Sequence, residues 1–155
     1  MMQISAAFSI LCVLCGITSS LSFVFEDCGS EAGKFNEVSI SSCDVSDEKC
    51  SLPRDTDIKV FLKFTPNKDM SDITAHVFGV LLDVTIPLPL ENSNMCEDPN
   101  SEVKCPLKKD QETEFKNTFN LDNKKVPPIS ADIIWEFRNE KDEKIICIKF
   151  PVKVV

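Results

Sequence analysis

Crosslinking sets the first constraint on this chain, because eight cysteines stand at positions 12, 15, 28, 43, 50, 96, 105 and 147 of 155 residues. Their meaning depends on where the folded chain begins. Residues 6–17, AAFSILCVLCGI, form an uncharged apolar run with the length of a signal h-region, too short to cross a hydrocarbon layer of about 30 Å. Ser20 and Ser22 follow with the spacing of small residues at a signal-peptidase site, so a signal peptide is predicted over residues 1–22 and a mature chain over 23–155. No Lys or Arg precedes the run, which leaves the terminal amine as the whole positive n-region. Cys12 and Cys15 are then apolar residues of a removed segment rather than a C-x-x-C redox or metal pair.

Six cysteines remain, an even number in an oxidising compartment, and they predict three disulfides. Many pairings are open to six cysteines. Short loops close most easily, which nominates Cys43 with Cys50 and Cys96 with Cys105, leaving Cys28 to join Cys147 and tie the two ends together. A zinc site would need paired cysteine knuckles and more imidazole than one histidine supplies, so no metal is expected. The length suits a single domain with one core.

Charge and motif content exclude several functions. The net charge of −8, from 17 basic and 25 acidic side chains, argues against nucleic acid, which needs clustered Lys and Arg, and favours a monomer whose copies repel. His76 is the one histidine and lies in TAHVFG within an expected strand. The mature cysteines are expected to be oxidised, and no G-x-S-x-G elbow is present. Asp47 with Glu48, and Glu140 with Asp142 and Glu143, lie in charged, loop-like runs whose default is a solvated face. The four glycines are too scattered to form a nucleotide loop. Neither catalysis nor a cofactor is expected.

Hydrophobic spacing supplies the fold class. In DIKVFLKF, residues 57–64, Ile58, Val60, Leu62 and Phe64 share one face, a period of two that predicts a half-buried strand. ETEFKNTFNL repeats the pattern with Phe115, Phe119 and Leu121, and KIICIKFPVKVV with Ile146, Ile148, Phe150, Val152 and Val154. Further strands are expected over residues 34–41, 73–82, 84–90 and 131–138, divided by turn signals such as TPNKD, EDPNS and RNEKDE. About seven short strands without a sustained helical stripe predict an all-β chain folded as an antiparallel β-sandwich. Pro87, Pro89, Pro127, Pro128 and Pro151 cannot donate to a ladder and are expected at edges, bulges or strand ends. The proline-stiffened stretches DVTIPLPLEN and LDNKKVPPISA read either as turns or as the rim of an opening between the sheets.

Several motifs then stand in a fixed order: FEDCGS at residues 25–30, the Cys43 and Cys50 pair, IPLPLE before Cys96, KCPLKKD at 104–110, VPPIS at 126–130, IIWEF, and IICIKFPVKV at the end. In that order they resemble the Niemann-Pick type C2 proteins of the ML (MD-2-related lipid-recognition) family, and the likeness covers essentially the whole mature chain. House-dust-mite group 2 allergens and insect and arachnid extracellular lipid carriers share the family. The resemblance implies an ML domain over residues 23–155: an immunoglobulin-like antiparallel β-sandwich of two sheets with an internal hydrophobic lipid cavity, and disulfides similar to those nominated above. Carried over position by position, it places Ile40, Ile58, Val60, Leu62, Ile86, Leu88, Leu121, Val126, Ile129, Ile133, Trp135 and Ile148 around the cavity. Leu88 stands where sterol carriers of the family commonly have an aromatic residue, Val126 where they often have tyrosine, and Ile148 where relatives often have tryptophan. The lining implied here is therefore more aliphatic.

The function implied by the resemblance is that of a secreted, non-catalytic carrier binding a sterol such as cholesterol and transferring it between membranes. A carrier of fatty acids or semiochemicals and an innate-immune lipid-recognition module are the alternatives. The implied partners are the apolar lipid and, transiently, anionic membranes or a membrane sterol transporter. Lys104, Lys108, Lys109, Lys124 and Lys125 are the candidates for meeting anionic lipid. No N-x-S/T sequon occurs, so an N-glycan address cannot be built, and extracellular fluid is expected ahead of the lysosomal lumen.

Overall fold

A computed structural model describes residues 24–155. The signal peptide expected over residues 1–22, with Cys12 and Cys15, lies outside the described residues. Among the described residues the elements are all strands: β1 Glu26–Asp27, β2 Gly33–Ile40, β3 Cys50–Leu52, β4 Asp57–Pro66, β5 Ile73–Leu81, β6 Val84–Leu88, β7 Thr113–Asn120, β8 Ser130–Asn139 and β9 Lys144–Val154. They form two sheets, β1-β9-β8-β5-β6 with β3 also paired to β9, and β2-β4-β7.

The period-two runs become the long strands, and their apolar parity becomes the core. Ile58, Val60, Leu62 and Phe64 of β4 are buried, as are Ile146, Ile148, Phe150, Val152 and Val154 of β9. Two strands were not visible in the sequence. β1 and β3 span two and three residues, too few to show a period. They are strands because β9 offers them an edge, antiparallel to β1 at Ile148 and Lys149 and parallel to β3 at residues 152–154.

The prolines follow the expected rule with one exception. Pro87 lies in β6, at the edge of its sheet, and Pro89, Pro127 and Pro128 lie outside the strands. Pro151 is in the interior of β9, not at an edge, bulge or strand end. The hydrogen-bond parity of β9 explains this. Val154 N–H donates to Ile129 on the β8 side, whereas Cys147 N–H faces the other way, toward Ser30 Oγ. The ring nitrogen of Pro151 shares the parity of Cys147, so the missing donor faces the gap between β1 and β3, where no ladder partner stands.

The disulfides join Cys28 to Cys147, Cys43 to Cys50 and Cys96 to Cys105. The first closes a loop across a separation of 119 residues and therefore restricts the unfolded chain most. Replacing both Cys28 and Cys147 by Ser is expected to lower the unfolding free energy by about 4 kcal/mol, read from urea melts.

A charged cluster on the outer face of β8 and β9 contributes to the response to acid. Buried Glu136 holds Arg138 through Oε2 at 2.6 Å and Lys144 through Oε1 at 3.1 Å. Arg138 also bonds Asp142 at 2.9 Å, and this hydrogen bond holds the Asp142 carboxyl below its usual range. Hydrogen bonds from Asn139 and then Lys68 do the same for Glu143. A carboxylate with a depressed folded pKa adds stability above its unfolded pKa and loses it as pH falls through the folded value. The melting temperature should therefore hold from pH 7 to about pH 5 and fall below about pH 4, as followed by circular dichroism.

Candidate functional site

Strand alternation turns nine of the twelve candidate residues toward the interior between the sheets, and the other three lie on a loop beside it. Ile40 of β2 pairs with Val60 of β4, and Ile58, Val60 and Leu62 are buried with it. On the facing sheet, Val77 pairs with both Leu88 and Trp135, and Trp135 with Ile148, so these share an inner face; Gly79 likewise links Ile86 to Ile133. Leu121, Val126 and Ile129 lie half-buried against the core, on the loop between β7 and β8.

The two ends of this space differ. Toward one end Phe64, Phe115, Trp135 and Phe137 interlock edge to face at centroid distances of 5.0 to 5.6 Å, a geometry that suits the ring quadrupoles. Met70, Ile73, Met95 and Leu107 complete a buried cap. The other end is open along β6. Val84 is 59%, Ile86 47% and Leu88 40% exposed, although their ladder partners Leu81, Gly79 and Val77 are half-buried and Val77 leads on to buried Trp135, and Phe119 at the end of β7 is 37% exposed. The three-stranded sheet does not reach this far. Its β2 edge approaches β9 and Phe115 of β7 meets Trp135 of β8, so the wider sheet runs past it on the β6 side.

The lip is built from two pieces held differently. The β5–β6 hairpin turns at Leu82 and Asp83, with φ of 48° and 63°, the left-handed pair that a two-residue hairpin turn requires. A groove of about 230 Å³ runs beside Leu88, Leu90 and Phe78, and another of about 280 Å³ lies at the hairpin tip. Opposite, the 121–129 loop is fastened by the turn before β4. Asp55 accepts hydrogen bonds from the Asn123 backbone and side-chain amides and donates its own N–H to the Leu121 carbonyl, while Arg54 reaches the Val126 carbonyl at 3.5 Å.

The rim reading of DVTIPLPLEN already took in Val84 and Leu90, although neither was among the lining residues, whereas Phe119 was missed. The alternation of ETEFKNTFNL already placed Phe119 with Phe115 and Leu121, so that signal was available. His76 pairs with Glu136 and accompanies it on the outer face, where Thr74 Oγ1 lies 3.2 Å from its ring, away from the lining. All six cysteines of the described chain are in disulfides. The five candidate lysines do not make one patch. Lys108 pairs its ammonium with Asp69 and Lys109 donates its backbone N–H to the same carboxylate at the capped end, beside the Met70–Leu107 bridge, whereas Lys124 and Lys125 lie on the loop at the open end.

Residues 22–154 match the family model described as ML domain. A crystal structure of a Niemann-Pick type C2 protein from the Japanese carpenter ant superposes with a TM-score of 0.83 at 58% identity, covering 85% of this chain and 99% of that one. The Drosophila melanogaster protein named NPC intracellular cholesterol transporter 2 homolog a is 33% identical, covering 84% of this chain and 86% of its own. The Bos taurus NPC intracellular cholesterol transporter 2 is 30% identical over 84% of this chain and 83% of its own.

The asymmetric lip yields a local test. Asp55→Gly keeps the left-handed backbone available and removes the carboxylate bonds to Asn123. Amide exchange of residues 121–126 should rise about tenfold, with β4 unchanged; unaltered exchange would assign the anchoring to Arg54 instead.

Proposed function

We propose that this chain, which belongs to the ML domain family, is a non-enzymatic carrier that takes a sterol between its two sheets and passes it on. The observation that carries the reading is the uncovered inner face of β6: Val84, Ile86 and Leu88 are aimed inward by the ladder yet remain in contact with solvent. An apolar wall left open in this way gains free energy when a ligand covers it. Covering about 300 Å² at about 25 cal/mol/Å² supplies roughly 7 kcal/mol before immobilisation costs. The names of the relatives support the sterol, since the Drosophila and bovine proteins are called cholesterol transporters.

In this reading the ligand enters over β6 and slides toward Ile58, Val60, Ile133 and Trp135, with Leu62 and Ile148 beneath. The aromatic cap stops it at the far end. Leu121, Val126 and Ile129 close over it. Leu82, 90% exposed at the hairpin tip, continues the apolar surface outward and would be the first side chain to meet a membrane during transfer. The reading places the protein outside the cell, in keeping with the leader-like N-terminus and the absence of a sequon.

A second reading, a carrier of fatty acids or other chain-like lipids, draws on the aliphatic character of Leu88, Val126 and Ile148. Mass spectrometry of lipid extracted from the natively purified protein separates the two. Sterol supports the first reading, and free fatty acid in its place overturns it. Ile86→Asp and Leu88→Asp put a charge at exposed positions. Each should leave the fold intact and weaken sterol uptake by delipidated protein at least about tenfold, the cost of desolvating an unpaired carboxylate against the ligand.

A further inference from the structure

Three glycines lie among the described residues, and the fold explains two of them. Gly29 has a φ of +118°, and a Cβ at Gly33 would stand 2.8 Å from the Thr65 carbonyl oxygen. Gly79 has neither reason. Its φ lies outside the left-handed region, and a Cβ there would meet only the two Leu88 methyl carbons, both at 3.9 Å, an ordinary contact distance. Glycine inside a strand costs backbone entropy and packs nothing, so for stability alone β5 would be better served by alanine or valine.

The site gives the reason that the fold lacks. Gly79 pairs with Ile86 on one side and Ile133 on the other, at the parity of Val77. The missing side chain therefore leaves a notch, one residue wide, between two isoleucines of the inner wall. No atom of the three-stranded sheet comes within 4 Å of the Cβ position, so the notch opens into the uncovered space beside β6.

We propose that Gly79 determines which class of lipid the carrier accepts, by admitting a rigid fused-ring ligand whose edge and projecting methyl groups occupy this notch. The inference rests on the carrier reading and specifies its ligand class. A fused ring system cannot bend around an added side chain, whereas an acyl chain reroutes by rotating about its single bonds. A group added at Gly79 thus excludes rings far more than chains.

Gly79→Ala and Gly79→Val test this in delipidated protein titrated with the fluorescent sterol dehydroergosterol and, separately, with the fluorescent fatty acid cis-parinaric acid. Gly79→Val should weaken sterol binding at least about tenfold, and Gly79→Ala about threefold. Fatty-acid affinity should stay within about threefold of the unsubstituted protein, and the melting temperature should be equal or higher. Equal losses for both ligands, undiminished sterol binding, or a lower melting temperature in both variants would overturn the notch while leaving the carrier reading in place. Unsubstituted protein that binds fatty acid without sterol overturns the ring preference and the sterol reading together, and one that binds neither removes the carrier reading as well. Should Gly79→Val fail to fold, Gly79→Ala decides, since its Cβ sits at ordinary contact distance.

Discussion

The pairing of β9 with β8 is the interaction on which the rest of the structure depends. β8 runs along one edge of β9, while the other edge receives the short strands β1 and β3. The Cys28–Cys147 disulfide then ties β1's continuation to the middle of β9. Without β9, neither short strand would have a ladder to join. The inner face of this pair, Trp135 with Ile148 and Phe137 with Ile146, is also the floor against which the second sheet packs.

From that floor the two sheets grow to unequal widths, and the inequality is the source of the site. A sandwich with matched sheets would bury both inner faces and leave no wall for a ligand. Here three strands cover part of a wider sheet, and the uncovered margin falls on β6. The aromatic cluster of Phe64, Phe115, Trp135 and Phe137 keeps the other end closed, so the sandwich has one packed end and one end whose apolar margin is exposed. Edge-to-face aromatic packing holds the first; the second has only a two-residue hairpin and a loop fastened through Asp55 and Arg54. Opening at the lip would leave the capped core intact.

Much of this was legible from residue spacing. DIKVFLKF and KIICIKFPVKVV declared their buried faces because a strand's side chains alternate strictly and apolar atoms leave water together. Loop closure nominated the disulfide pairing that the structure shows. Pro151 was misplaced because the rule for prolines in strands concerns the missing donor, and which neighbour that donor would face is decided by pairing. β1 and β3 escaped for a related reason: segments of two or three residues have no pattern of their own and are shaped by the edge they meet. Gly79 was passed over as one scattered glycine among four, since an absent side chain matters only when its surroundings are known.

The amino-acid sequence by itself determined an all-β chain, the apolar parity of its long strands and the oxidised cysteine framework. Each is a property of local spacing or composition. Only the tertiary structure decided which inward-facing residues are core and which are lip, because Ile58 and Ile86 carry the same side chain at the same kind of position. Their difference is whether a strand of the opposite sheet lies over them, and that depends on where the narrower sheet ends.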